Sequence, residues 1–117
     1  MTDIVLFQQR LRQFAADRNW DQFHSPKNLS MALIAEAAEL VEHFQWLTEE
    51  ESRNLMPEKL AEVRTELADI MIYLIRLADK LNIDLVQAVE EKIKINEEKY
   101  PIEKVHSSSK KYTEYRD

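Results

Sequence analysis

The 117-residue chain contains no cysteine and no glycine. Without cysteine there is neither a disulfide framework nor a thiolate metal site. Without glycine, backbone amides lack the turns that bring them against phosphate, so a P-loop and a dinucleotide fold are both excluded. Any phosphate bound here must be met by metal and side chains. No apolar run approaches the length of a membrane span, so no membrane partner is expected. Asp3 and Arg10 interrupt the N-terminal stretch, which reads as amphipathic helix rather than as an apolar signal segment. The expected compartment by default is the cytoplasm. A formal net charge of −6 argues against a stable grip on nucleic acid through phosphate neutralisation. It leaves room for a nucleotide that arrives with its own cation.

What is present, 44% hydrophobic and 32% charged residues, predicts one globular domain with a real core. The apolar spacing is helical throughout, and no alternating strand pattern occurs. Ile4, Phe7, Leu11 and Phe14 mark one face of a first helix, from near Thr2 to about Arg18. The three prolines all sit at element boundaries. Ser25 before Pro26 starts a second helix expected to reach about Leu47, and Pro57 opens a third that ends near Leu81. Thr48 and Glu51 have capping-box spacing for a short helical turn between them, and Asp84 with Gln87 starts a fourth helix. Pro101 stops it. The expected organisation is a four-helix, all-α bundle over 1–101 followed by a polar tail over 102–117. The third helix is apolar on two sides, since Ala61, Ala68, Ile72 and Ile75 oppose the stripe of Ile70 and Leu77. A partner subunit covering that second face is expected, with C2 pairing the commonest arrangement.

Two acidic pairs carry the chemistry. Glu36 and Glu39 in AEAAELVEHFQW, and Glu66 and Asp69 in TELADIMIYLIRL, stand three apart. On a helix, each pair shares a face. Both pairs border the core stripe, where carboxylates are costly unless neutralised. Neither has a Lys or Arg four residues downstream, for the residues there are Leu40, His43, Ile70 and Tyr73. Four converging oxygens suit a hard cation such as Mg2+, with Mn2+ as an alternative. Spacing alone leaves metal ligands and ordinary surface acids as open alternatives. Glu62 is a further acid one turn before Glu66, and His43 lies one turn after Glu39, next to the metal pair.

Trp20, Phe23 and His24 cluster in the loop NWDQFHSPKN, where binding groups often lie. Together with Trp46 and Tyr73 they can stack a planar ligand, although core packing is the usual role of an aromatic. Lys92 and Asn96 share a face of the fourth helix and are candidates for phosphate or sugar contact, against the simpler reading of a solvated face.

EAAE followed after a spacer by ELAD resembles the MazG-like all-α nucleotide pyrophosphohydrolases, whose motif is EExxE, spacer, EExxD. RNWDQFHSPKNL, the run ending in FQW, ELADIMIYLIRLAD, KxxxNxxKYP and SSSKKY extend the resemblance to the dCTP pyrophosphatase branch over almost the whole chain. It implies a helical bundle, Mg2+ dependence and a homo-oligomer, a dimer or a tetramer of paired bundles. It also implies hydrolysis of a deoxynucleoside triphosphate to a monophosphate and pyrophosphate. By this resemblance Glu36, Glu39, Glu66 and Asp69 are the metal ligands. The expected proton acceptor is a carboxylate not fully committed to metal, Glu36 or Glu39, between which the sequence does not choose. Trp20, Phe23, His24, Trp46, Tyr73, Lys92 and Asn96 are substrate contacts. Ala35 and Thr65 replace the first acid of each motif, and Leu11 stands where animal members place a substrate-contacting histidine. Rival readings are a broad-specificity hydrolase of the same family and a non-catalytic helical interaction module.

Overall fold

A computed structural model describes residues 2–105. The SSSKKY stretch of the expected tail lies outside the described residues. Among those residues every regular element is helical, as the periodicity predicts. Two compact units divide between Ile83 and Asp84.

In the first unit, α1 covers Asp3–Asp17, and the Thr2 side chain caps it by accepting from the Val5 amide at 3.3 Å. Asn19 ends it in the left-handed region, φ 53°, where the Trp20 amide reaches back to the Ala15 carbonyl. A 3-10 turn, Asp21–Phe23, follows. Helix α2, Pro26–Glu42, starts as its sequence signals, with Ser25 accepting from the Asn28 amide and Pro26 at the first position. It stops five residues before the expected Leu47. Its last turn tightens into three-residue hydrogen bonds, His43 amide to Leu40 carbonyl and Phe44 amide to Val41 carbonyl, and the chain continues in turns. The Thr48–Glu51 capping box forms in both directions and opens the short α3, Glu49–Arg53. Helix α4, Pro57–Lys80, is the long element of the unit, and Asn82 at φ 55° turns the chain after it.

Helices α1 and α2 both pack on α4. The sealed core is small: Ala15, Leu29, Val63, Ile75 and Ala78. Ile75, expected to await a partner subunit, is already 2% exposed within this chain. Of the second face of α4, only Ala61, Ala68 and Ile72 remain open. Burial of Ile75 follows from α1, whose Phe7, Leu11 and Phe14 form an apolar groove with Ala68, Met71, Ile72 and Ile75.

In the second unit, α5 covers Leu85–Lys99, with Asp84 accepting from the Gln87 amide at 3.0 Å. It carries no buried residue, and Val89 and Ile93 are about half exposed. Helix α6, Ile102–Val105, is a single turn beyond Pro101, at the start of what the sequence reads as tail. No described helix is long and apolar enough to cross a membrane.

Candidate metal centre and its cavity

Packing of α2 on α4 brings the two acidic pairs together. Glu36 and Glu39 from α2 and Glu66 from α4 each offer an oxygen within 4.8 Å of the others. Asp69, one turn beyond Glu66, lines the same cavity as Glu36. The second carboxylate oxygens of Glu36 and Glu66 are sealed from solvent and have no hydrogen-bond partner in the structure. Buried charge without compensation is unfavourable, and two such atoms side by side are more so. Burial first, then the neighbouring carboxyls of Glu66, Glu39 and Asp69, push the Glu36 pKa up to about 7. An all-oxygen set with orphaned carboxylate atoms fits a hard divalent cation, which would satisfy the atoms the protein leaves unpaired.

The side of the cluster next to His43 is protein-bound. Lys59 donates to His43 Nδ1 at 3.3 Å, and His43 Nε2 lies 3.8 Å from Glu66 Oε1. Glu62, the further acid of the sequence reading, pairs with Lys59 at 3.2 Å on an exposed edge.

On the other side the cluster opens into a cavity of about 350 Å3. Glu36, Asp69 and Tyr73 form its acidic and phenolic wall, and Trp20, His24, Leu11, Phe14, Ile72 and Arg76 form the rest. Trp20 is held edge-on to Phe14, ring centroids 5.9 Å apart, while the Arg18 guanidinium stacks over the same Phe14 ring, 3.6 Å from its centroid. The cavity therefore joins an anionic, cation-suited floor to aromatic walls. Of the residues expected to contact a ligand, the structure collects Trp20, His24 and Tyr73. Phe23 and Trp46 do not line this cavity, and Trp46 is 87% exposed. Lys92 and Asn96 lie exposed on α5 in the second unit.

Arg76 is the residue that the spacing argument missed. Its side chain is 4% exposed, yet it carries a charge. Arg76 Nη2 donates to Asp21 Oδ1 at 2.9 Å and contacts His24 Nδ1 at 3.1 Å, and its Nη1 lies 3.6 Å from Asp79 Oδ2. Lys80 adds a 2.6 Å bond to the same Asp21 oxygen, and Arg12 grips Asp79 through two bonds. Lys80 and Arg76 hold the Asp21 pKa low, Arg12 does the same for Asp79, and burial, followed by Arg76, depresses that of His24. The aromatic loop is thus tied to α4 by charge as well as packing. A signal existed in the sequence: Asp69, Tyr73 and Arg76 follow helical spacing on one face, and Arg76 interrupts an apolar run.

Known proteins resemble this chain along most of its length. Human dCTP pyrophosphatase 1 is 46% identical over 104 residues, 87% of this chain and 61% of the human protein. The bovine protein of that name is 44% identical over the same length, 87% of this chain and 62% of its own. The chain therefore spans less than two thirds of these relatives. A pyrophosphatase from Archaeoglobus fulgidus, known from a crystal structure, superposes with a TM-score of 0.81 at 37% identity, covering 86% of this chain and 94% of the archaeal one. The sequence profile of the MazG-like family matches residues 32–115, a stretch that takes in both acidic pairs. With helices, acidic pairs and profile in agreement, this chain belongs to the MazG-like family.

Proposed function

We propose that this protein is a Mg2+-dependent nucleoside triphosphate pyrophosphohydrolase that converts dCTP, and 5-substituted dCTP, to the monophosphate and pyrophosphate. The observation that carries the reading is that Glu36, which clusters with Glu39 and Glu66, shares one cavity with Asp69, Trp20, His24 and Tyr73. The names of the mammalian relatives point to dCTP, and their similarity runs through both acidic pairs and the aromatic loop. Removal of surplus or modified nucleotides in the cytoplasm is the corresponding cellular role.

Glu36, Glu39, Glu66 and Asp69 would hold the cation. Bound there, Mg2+ (or Mn2+) would neutralise phosphate charge and lower the pKa of water. The water oxygen bonds to the α-phosphorus, the α–β bridging bond breaks, and pyrophosphate leaves. Glu36 or Glu39 accepts the water's proton; the Glu36 carboxyl, pushed up to about 7, has the proton affinity suited to that role. Trp20 and Tyr73 flank the base, with His24 at its polar edge. Phe23 and Trp46, which do not line the cavity, and Lys92 and Asn96 on α5 are assigned to substrate binding on the resemblance. Self-association as a dimer or tetramer, by way of the open faces of α4 and α5, belongs to the same proposal.

Pyrophosphate release from a panel of canonical and 5-methylated triphosphates, with and without Mg2+, tests the reading. Glu39→Gln and Asp69→Asn are each expected to lower turnover by about 100-fold or more, with helical circular dichroism unchanged. Wild-type turnover in both variants would overturn the metal assignment. A purine preference would overturn the pocket.

A further inference from the structure

Leu11 brings no polar group to the cavity, so the base edge must be read by something else. Among the polar residues lining that cavity are His24 and the buried Arg76. A guanidinium only donates, and Nη2 has two hydrogens. One is committed to Asp21 Oδ1 at 2.9 Å, and the other meets His24 Nδ1 at 3.1 Å. That second contact is a hydrogen bond only when Nδ1 carries no proton. The ring is then neutral, and its one N–H is at Nε2. The charges around this pair are Asp21, Asp79, Lys80 and, through Asp79, Arg12.

We propose that Arg76 is a positioning residue that fixes His24 in its Nε2–H form and ties the aromatic loop to α4, giving the cavity a permanent hydrogen-bond donor for the acceptor edge of a pyrimidine. This rests on the proposed reaction for the identity of the ligand, but not for the state of the ring. Burial of the imidazole lowers its pKa and works in the same direction. Cytosine presents two adjacent acceptors, O2 and N3, to such a donor. Arg76 lines the same cavity, and its Nε is buried without a partner. Lysine cannot substitute, because a single ammonium does not reproduce a planar fork that bonds Asp21 and His24 from one nitrogen while facing Asp79 with another.

Two measurements test this. In nitrogen-15 correlation spectra of the wild-type protein, with His24 assigned by His43→Gln and His106→Gln variants, Nδ1 is expected to resonate as an unprotonated acceptor and Nε2 as the protonated nitrogen throughout neutral pH. A protonated Nδ1 overturns the proposal without any variant being made. In Arg76→Met, the Nδ1 resonance is expected to shift as its donor is lost, and KM for dCTP to rise about tenfold while kcat stays within about twofold, the loss of one modest hydrogen bond. Arg76→Lys is expected to behave like Arg76→Met. Unchanged Nδ1 resonance and unchanged KM in either variant overturn the proposal. The expected ring state in a protein that does not turn over dCTP overturns the proposed reaction alone and upholds the hold of Arg76 on His24.

Discussion

Glu36 is where sequence pattern becomes measurable chemistry at the scale of one residue. Its carboxyl is pushed up to about 7 in the folded chain from an ordinary 4.5, chiefly by burial. The folded state therefore binds this proton more tightly than the unfolded chain. The resulting stabilisation is complete below about pH 4.5 and is lost as pH rises through about 7. Metal-free protein is expected to melt at progressively lower temperature between about pH 5 and about pH 8, and Glu36→Gln to flatten that part of the profile. Thermal melts in chelator across this range check it, and an identical slope in Glu36→Gln would contradict the assignment. The four acids could be picked out in the sequence because two i, i+3 pairs without a downstream Lys or Arg are visible in one dimension. Arg76 was not, because its partners Asp21 and His24 are more than fifty positions away and become neighbours only when the loop folds onto α4.

Among elements, starts were easier to read than stops. Ser25 with Pro26, Thr48 with Glu51, and Asp84 with Gln87 each act where side-chain chemistry puts them, because an N-cap is a local bond between near neighbours. The stop of α2 at Glu42 had no such signal; the apolar spacing runs on through Phe44 and Leu47 while the backbone tightens into turns. Helices α1 and α4 stop at left-handed residues, and with no glycine available the chain uses Asn19 and Asn82 there. Asparagine tolerates this conformation better than other residues with a side-chain carbon. Asn82→Ala is expected to lower stability by about 1 kcal/mol, and Asn82→Gly to leave it equal or higher. Urea unfolding of the two variants decides the matter, and equal midpoints would show that the stop depends on something other than this residue.

For the whole molecule, the balance of buried and open apolar surface is what motivates the proposed self-association. Ile72, Met71 and Leu67 on α4 and Val89 and Ile93 on α5 stay between 39% and 54% exposed. Ile72→Glu is expected to reduce the sedimentation coefficient by placing a charge in an apolar contact between copies. A wild-type monomer at micromolar concentration would dismiss self-association through this face. Periodicity revealed that α4 is apolar on two sides but carries no information on which residues of the second side α1 covers, and Ile75, packed by α1, proved internal. The two sealed, unpartnered oxygens of Glu36 and Glu66 have a consequence beyond the cavity. An ion that binds only the folded chain stabilises it by mass action, about 2.7 kcal/mol at a hundredfold excess over its dissociation constant. Resistance to heat and to proteases should then rise and fall with the free divalent cation around the protein, so that persistence itself becomes a readout of cation supply.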